Sequence, residues 1–178
     1  MIIIAGMHGS GTRYLSKCFN EVIPMWDIEA GAMHFEDKEI LEINERELKR
    51  HGTKWYGKDI KPTKDLIKEL RQYKEKRTGD YGFKDPRILM LLSSYKEVWP
   101  DAKFIVCIRN PIKVISSHLR NGRLNSFNVG IEYYSNDIKR VTNDMYRFNY
   151  DGDIKQEQES LRKYTELEVD IVTNWKYR

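Results

Sequence analysis

The first nineteen residues join a buried-strand pattern, a glycine-rich turn and a helical pattern. Residues 1–5, MIIIA, form a short apolar run rich in β-branched side chains, which is typical of a fully buried strand. Three glycines follow within six positions, and residues 12–19 then place Leu15, Cys18 and Phe19 on one helical face. A strand that turns through glycines into a helix presents main-chain N–H groups that suit an anion. The pattern predicts a phosphate-binding loop, with an ordinary glycine turn as the alternative.

The spacing inside this loop distinguishes it from the loops of ATP and GTP hydrolases. Gly6 and Gly11 have four residues between them, as in the pattern G-x-x-x-x-G-K-[ST], but Thr12 and Arg13 follow. In that pattern the lysine reaches the outer phosphates and the next hydroxyl binds magnesium. We therefore expect a loop that holds a phosphate without metal-assisted phosphoryl transfer, and we expect no metal site.

The composition is that of a polar globular chain with a small excess of positive charge. Its 178 residues suit one domain over 1–178, and 31 Lys and Arg against 27 Asp and Glu give a net charge of +4. The charge is spread along the chain, whereas a nucleic-acid-binding protein usually carries a denser basic stripe. An anionic small molecule is therefore the predicted partner, and nucleic acid is not.

The sequence also predicts a cytoplasmic protein. No apolar run reaches the length of roughly 18–20 residues that a membrane span needs, and the N-terminal apolar run is too short for a signal peptide. Cys18 and Cys107 lie among apolar residues without the spacing of a metal site, which favours reduced, buried thiols.

Strand and helix patterns alternate along the rest of the chain. Residues 103–108, KFIVCI, are a second candidate for a buried strand, and helices are predicted near Asp37, Pro62, Asp85 and Asn110. Another strand is predicted at residues 167–173. A long helix after residue 128 is predicted to carry one apolar side, consisting of Ile131, Tyr134, Ile138, Val141, Met145 and Phe148.

This alternation predicts a three-layer α/β/α fold with a central, mainly parallel sheet. Ligands of such sheets bind beyond the carboxyl ends of the strands. The glycine loop and the loop that contains Arg109 both follow strand candidates, so we expect them to meet at that edge.

Four stretches together resemble the sulfotransferases that use 3′-phosphoadenosine 5′-phosphosulfate (PAPS). They are GMHGSGT at 6–12, HFEDKEI at 34–40, FKDPR at 83–87 and CIRNPIKVISSHL at 107–119. The first is similar to a loop of the form G-M-H-R-S-G-T-S in that family, and the four occur in the family's order. The resemblance covers roughly residues 1–120. It implies a sulfotransferase fold related to the P-loop NTPases, with a shortened C-terminal part.

The resemblance implies an in-line, metal-independent transfer of a sulfuryl group from PAPS to a hydroxyl or amine. The acceptor would be a saccharide, a phenol or another small molecule, and the product would be adenosine 3′,5′-bisphosphate (PAP). Main-chain N–H groups of the loop, with the Thr12 hydroxyl, would cradle the 5′ end. Arg109 and Ser117, spaced as in the family, would hold the 3′-phosphate. The implied nucleotide-binding residues are Gly9, Ser10, Gly11, Thr12, Arg13, Arg109 and Ser117.

The sequence departs from the family at Gly9, where a lysine or arginine usually lies beside the transferring group. Arg13, His8 and Lys84 are candidates to supply the missing charge, and Lys84 is the first choice because its Lys-Asp-Pro segment matches the tyrosylprotein type. Its alternative is a solvated surface lysine. This departure keeps open a second function, that of a PAPS- or PAP-binding protein with weakened catalysis. A P-loop kinase of a small metabolite is a third possibility, which the absent Lys-Ser/Thr pair argues against.

Transfer to a hydroxyl also needs a general base. The resemblance indicates Glu36, with His34 and Asp37 as further candidates, although Asp37 equally fits a helix cap. Asp85 is predicted to be a cap, and Asp151 with Asp153 fits a turn better than a calcium site. Aromatic residues flank the acceptor region, where they would stack on an acceptor ring or pack in the core. They are Trp26, Phe35, Trp55 and Tyr56.

Overall fold

The computed structural model describes residues 1–25, 36–54 and 60–171. Its strands are β1 (Ile2–Gly6), β2 (Gly82–Lys84), β3 (Lys103–Ile108) and β4 (Tyr146–Asn149). Its α-helices are α1 (Thr12–Asn20), α2 (Lys38–Arg50), α3 (Lys64–Glu75), α4 (Leu92–Val98), α5 (Pro111–Arg120), α6 (Phe127–Arg140) and α7 (Ile154–Thr165). A 3₁₀ segment, Pro86–Leu91, leads directly into α4.

The described strands form one parallel sheet in the order β2-β1-β3-β4. The central strand β1 has Ile3 opposite Phe83 of β2 on one side and opposite Phe104 of β3 on the other. Because all four strands run the same way, their carboxyl ends lie along one edge of the sheet.

Helices cover both faces of this sheet. Side chains alternate between the faces of a strand, so Ile3 and Ala5 of β1 pack among the residues of α2, α3 and α4. Ile2 and Ile4 pack on the opposite face against residues of α1 and α7. The expected three-layer α/β/α fold is confirmed, as are the predicted strands at the start of the chain and at residues 103–108.

The predicted long helix is wrong at its C-terminal end. Helix α6 ends at Arg140, Val141 has extended backbone, and the chain then forms β4 beside β3. The spacing of Val141, Met145 and Phe148 is compatible with a helix. However, Phe148 pairs with Cys107 of β3 and is completely buried, and this pairing joins residues far apart in the sequence.

Three other sequence-based boundaries also change. Residues 167–171 are not a strand, although Val169 and Ile171 are buried beside α1 and α7; residues 172 and 173 lie outside the described part. Helix α3 begins two residues after Pro62, where the Thr63 hydroxyl accepts a hydrogen bond from the N–H of Leu66. The helix predicted after Asp85 begins as the 3₁₀ segment. None of the helices that the structure describes is long and apolar enough to span a membrane.

Candidate functional site

A cleft of about 670 Å³ lies at the edge where the carboxyl ends of the strands meet. The segments that follow β1, β3 and β4 contribute to it, as does the last residue of β2. Its volume lies within the range of small-molecule sites. It is lined by His8, Gly9, Gly11, Thr12, Arg13, Tyr14, Glu36, Lys84, Arg109, Ser117, Asn121, Arg123 and Tyr150.

The glycine loop is fixed by contacts of its main chain. Gly6 has φ +137°, and a Cβ atom there would lie 2.8 Å from the Cys107 carbonyl oxygen of β3. Only glycine therefore lets β1 turn while it stays paired with β3. Inside the loop, both the N–H and the hydroxyl of Ser10 donate hydrogen bonds to the Met7 carbonyl, at 3.1 and 2.7 Å.

Ser10 thus serves the loop itself, and its side chain is buried below the cleft. The N–H of Ser10, one of the residues implied to bind the nucleotide, thus donates within the loop in this structure. Helix α1 starts at Thr12 after Gly11, which makes no side-chain cap. The first N–H groups of a helix have no partner within it, so Gly11 and Thr12 present donors at the positive end of the helix dipole.

Arg109 reaches the loop from the end of β3. Its Nη1 donates to the Gly9 carbonyl at 3.1 Å, and its guanidinium carbon lies 4.8 Å from the centre of the Tyr150 ring. Ser117 comes from α5, and its hydroxyl oxygen is 3.8 Å from the position of a Cβ on Gly9. The two residues predicted for the 3′-phosphate therefore both border the loop at Gly9.

Lys84 and Glu36 form an ion pair inside the cleft. Lys84 Nζ lies 2.6 Å from Glu36 Oε1, and the two side chains are only 3% and 11% exposed. Burial lowers the pKa of Lys84, and the Glu36 carboxylate opposes part of this shift. Lys84 is therefore not a solvated surface lysine, and the two predicted catalytic side chains are in direct contact.

A buried network holds the chain immediately after Lys84. The Asp85 carboxylate accepts hydrogen bonds from the Arg87 N–H at 2.8 Å and from its guanidinium at 3.0 Å. It also accepts from the Asn44 amide at 3.1 Å, and the Asn44 carbonyl oxygen accepts from the Tyr95 hydroxyl at 2.7 Å. Asp85 is thus the predicted cap, and it ties the end of β2 to helix α2.

The two histidines near the loop do not supply a charge. Burial, followed by the positive charges of Arg87 and Lys84, lowers the pKa of His8 well below its ordinary value of 6.5. Burial also lowers the pKa of His118, whose Nε2 contacts the His8 carbonyl oxygen at 2.5 Å. His118 therefore helps to hold the loop, and His8 is neutral near pH 7.

The remaining candidates that the structure describes do not line the cleft. Asp37 caps α2 by accepting from the Ile40 N–H at 2.8 Å, and it also accepts from the Tyr73 hydroxyl at 3.0 Å. Asp151 accepts from Lys113 Nζ at 2.6 Å, whereas Asp153 caps α7. Cys18 and Cys107 are buried and form no disulfide, as predicted. The candidates outside the described residues are Trp26, His34, Phe35, Trp55 and Tyr56.

Four cleft residues were not singled out from the sequence, namely Tyr14, Asn121, Arg123 and Tyr150. Arg123 follows Gly122, whose φ of +63° closes α5 and lets the Arg123 N–H donate to the His118 carbonyl at 2.9 Å. The Asn-Gly pair after α5 was a visible signal for this turn. Tyr150 shows no such signal, because the apolar spacing of the segment before it predicts a helix.

The described ranges contain no group of three or more His, Cys, Asp or Glu side chains arranged to hold a metal ion. Of the nine site residues predicted from the sequence, all except Ser10 line the cleft. The roles given to them remain predictions.

Comparison with known proteins adds a family match. A model of the sulfotransferase family matches residues 2–162. Among solved structures, the chain is similar to sulfotransferase STF1 from Mycobacterium tuberculosis H37Rv, with 10% sequence identity and a TM-score of 0.48. That similarity covers 93% of this chain and 67% of the mycobacterial one. A search of curated proteins found no match.

Proposed function

The chain belongs to the sulfotransferase family, and we propose that it transfers a sulfuryl group from PAPS to a hydroxyl or amine acceptor. One observation carries the proposal. Three stretches that are distant in the sequence, namely the glycine loop, the Lys84 segment and the Arg109–Ser117 segment, line a single cleft. The donor has two separate anionic ends, and the cleft offers a group of donors for each.

The glycine loop and Arg109 suit the two ends of the nucleotide. The N–H groups of Gly11 and Thr12, at the start of α1, suit the 5′ end. The Arg109 guanidinium can give a phosphate a charge-assisted, two-pronged contact, and Ser117 adds a hydroxyl. Arg109 is half-buried, so its charge is less screened than that of an exposed arginine.

The Lys84–Glu36 pair suits the reacting end. Sulfuryl transfer breaks the bond from sulfur to the donor oxygen and forms one to the acceptor oxygen, while the acceptor releases a proton. Glu36 would accept that proton as general base. Once protonated, Glu36 no longer neutralises Lys84, whose positive charge then stabilises the negative charge that develops on the leaving oxygen.

Gly9 supports a second candidate, a protein that binds PAP with little transfer. Gly9 has φ +82° and no side chain, so the loop carries no cation at this position. The Lys and Arg side chains that line the cleft are Arg13, Lys84, Arg109 and Arg123. Whether they replace the missing charge decides between enzyme and binding protein, and the Glu36 and Lys84 variants discussed below separate the two.

Calorimetric titration with PAP in the absence of magnesium tests the donor. We expect micromolar binding by the wild type, weakened by about 2 kcal/mol, or about 30-fold, in Arg109→Ala, because a charge-assisted phosphate contact is lost. Arg71→Ala is the control, since Arg71 forms an exposed ion pair with Glu97 away from the cleft. Failure of the wild type to bind PAP would contradict the proposed donor. Magnesium-dependent binding of ATP would then favour the kinase.

A further inference from the structure

We propose that Tyr150 is a positioning residue that orients Arg109 for the 3′-phosphate of the nucleotide. The inference rests on the proposed function for its ligand. It concerns a residue that lies beyond the four stretches, all within residues 6–119, that carry the resemblance to the family.

The backbone of Tyr150 is fixed beside the strand that carries Arg109. Tyr150 directly follows β4, and its N–H donates to the Ile108 carbonyl at 2.8 Å. Ile108 is the residue that precedes Arg109, so the two side chains leave adjacent strands at the same level. This explains why the Tyr150 ring meets the guanidinium, with 4.8 Å between the guanidinium carbon and the ring centre, within the range of cation–π contacts.

The ring is fixed in turn by the glycine loop and by α1. A Cβ atom on Gly11 would lie 2.2 Å from Tyr150 Cδ2, so the ring occupies space that only glycine leaves open at this position. The Tyr14 ring meets it nearly edge-on, with centres 5.5 Å apart and an angle of 86° between the planes. Tyr150 therefore contacts both the loop and Arg109, and its own freedom is small.

Arg109 has few other groups to set its orientation. The Gly9 carbonyl accepts a hydrogen bond from Arg109 Nη1. The Asp151 carboxylate is 3.9 Å from Arg109 Nε, which is too far for a hydrogen bond. Asp151 instead accepts from the Asn110 N–H and from Lys113. Buried Arg109 Nε has no hydrogen-bond partner among the described residues. A phosphate oxygen can satisfy that donor, provided that the ring holds the guanidinium plane towards the cleft.

A titration with two nucleotides tests this inference. PAP carries the 3′-phosphate and adenosine 5′-monophosphate (AMP) lacks it, so a residue that acts through Arg109 should affect PAP selectively. We expect Tyr150→Leu to bind PAP about fivefold more weakly and AMP within about twofold of the wild type. Tyr150→Phe keeps the ring and should bind PAP as the wild type does.

Double variants and a matched control complete the design. In the Arg109→Ala background, Tyr150→Leu should change PAP affinity less than about twofold, because the group it positions is gone. Tyr164→Leu is the control, since the Tyr164 ring also lies near a cation, Lys103 Nζ at 5.4 Å, outside the cleft. It should leave PAP affinity unchanged.

An NMR measurement keeps the inference testable without a ligand. The Nε–H resonance of Arg109 should carry a ring-current shift that Tyr150→Leu removes and Tyr150→Phe retains. Equal losses of PAP and AMP affinity in Tyr150→Leu, or an unmoved Arg109 resonance, would overturn the positioning role. If the wild type does not bind PAP but the resonance behaves as expected, the donor assignment fails while the contact of Tyr150 with Arg109 stands.

Discussion

The two ends of the cleft differ in the chemical groups that form them. At the end proposed for the nucleotide (the nucleotide end), main-chain N–H groups, glycine conformations and the half-buried Arg109 lie around the loop. At the end proposed for the reaction (the reacting end), Lys84 and Glu36 form an ion pair that is almost removed from water. The first arrangement depends on backbone shape, which suits repeated binding and release of an anion. The second depends on charge, because two buried, oppositely charged groups lie in contact.

The largest effect should follow from a change at the reacting end. Glu36→Gln and Lys84→Met should lower the rate of sulfuryl transfer by at least about 100-fold, the contribution expected of a general base. Because neither residue is assigned to the nucleotide end, PAP affinity should stay within about threefold of the wild type. Transfer of labelled sulfate to a panel of hydroxyl and amine acceptors, together with calorimetry, measures both.

A second ion pair provides the control for this test. Lys76 and Glu39 also lie 2.6 Å apart, but their side chains are 59% and 35% exposed. Lys76→Met and Glu39→Gln should leave the transfer rate unchanged, as exposed pairs contribute little. If the wild type transfers sulfate and the Glu36→Gln variant keeps most of the wild-type rate, Glu36 is not the general base. A wild type that binds PAP without transfer to any acceptor would favour the binding protein.

At the nucleotide end, a change of backbone conformation should instead weaken the binding of PAP. In Gly11→Ala the added methyl group would meet the Tyr150 ring, and the φ of +104° is unfavourable for alanine. We expect PAP affinity to fall about tenfold, and we expect stability to fall by about 1–3 kcal/mol, the usual cost of such backbone strain. Urea unfolding measures the stability and calorimetry the affinity.

Gly79→Ala separates the effect of backbone strain from the effect of a steric clash with the Tyr150 ring. Gly79 has φ +79°, but nothing lies within 4 Å of the position that its Cβ would take. It should lose stability by strain alone and keep the affinity for PAP. If Gly11→Ala binds PAP as well as Gly79→Ala does, the shape of the loop does not determine binding.

Local sequence patterns were sufficient for the parts of the fold that short segments determine. The strand at the start of the chain, the glycine turn and α1 lie within twenty residues, and their apolar spacing reports burial directly. Strand β4 was missed because Val141, Met145 and Phe148 fit a helical spacing. Its identity is decided by pairing with β3, a contact between distant residues that no local pattern contains.

For the candidate site, too, local patterns predicted some features, whereas others depend on tertiary contacts. The motifs and the resemblance pointed to eight of the residues that line the cleft. The loops after β1 and β3 meet there because the carboxyl ends of parallel strands lie at one edge of the sheet. The ion pair joins residues 48 positions apart, so its contact and its burial needed the folded chain. The inward turn of the Ser10 hydroxyl and the packing of Tyr150 against Gly11 were likewise set by tertiary contacts.

The smallest effect concerns His8, which lies between the two ends of the cleft and should add charge to neither. Its folded-state pKa is lowered well below 6.5 by burial and then by Arg87, Lys84, Arg123 and His118. Below about pH 6.5 the unfolded chain therefore takes up a proton that the folded chain does not. Stability should be fully present above that pH and should decrease as the pH falls towards the folded-state pKa, by at most about 1.4 kcal/mol per pH unit from this residue.

Urea unfolding of the wild type and His8→Gln at pH 7, 6 and 5 isolates this contribution. The pKa of His118 is lowered as well, so the wild type should lose stability through both residues, while the variant keeps only the His118 part. The difference between the two stability curves should therefore narrow as the pH falls. Parallel curves would mean that His8 takes up its proton at the same pH in the folded and the unfolded chain. Below about pH 6.5 the loop would then supply a positive charge beside Gly9, and the contrast between an uncharged loop and a charged reacting end would no longer hold at that pH.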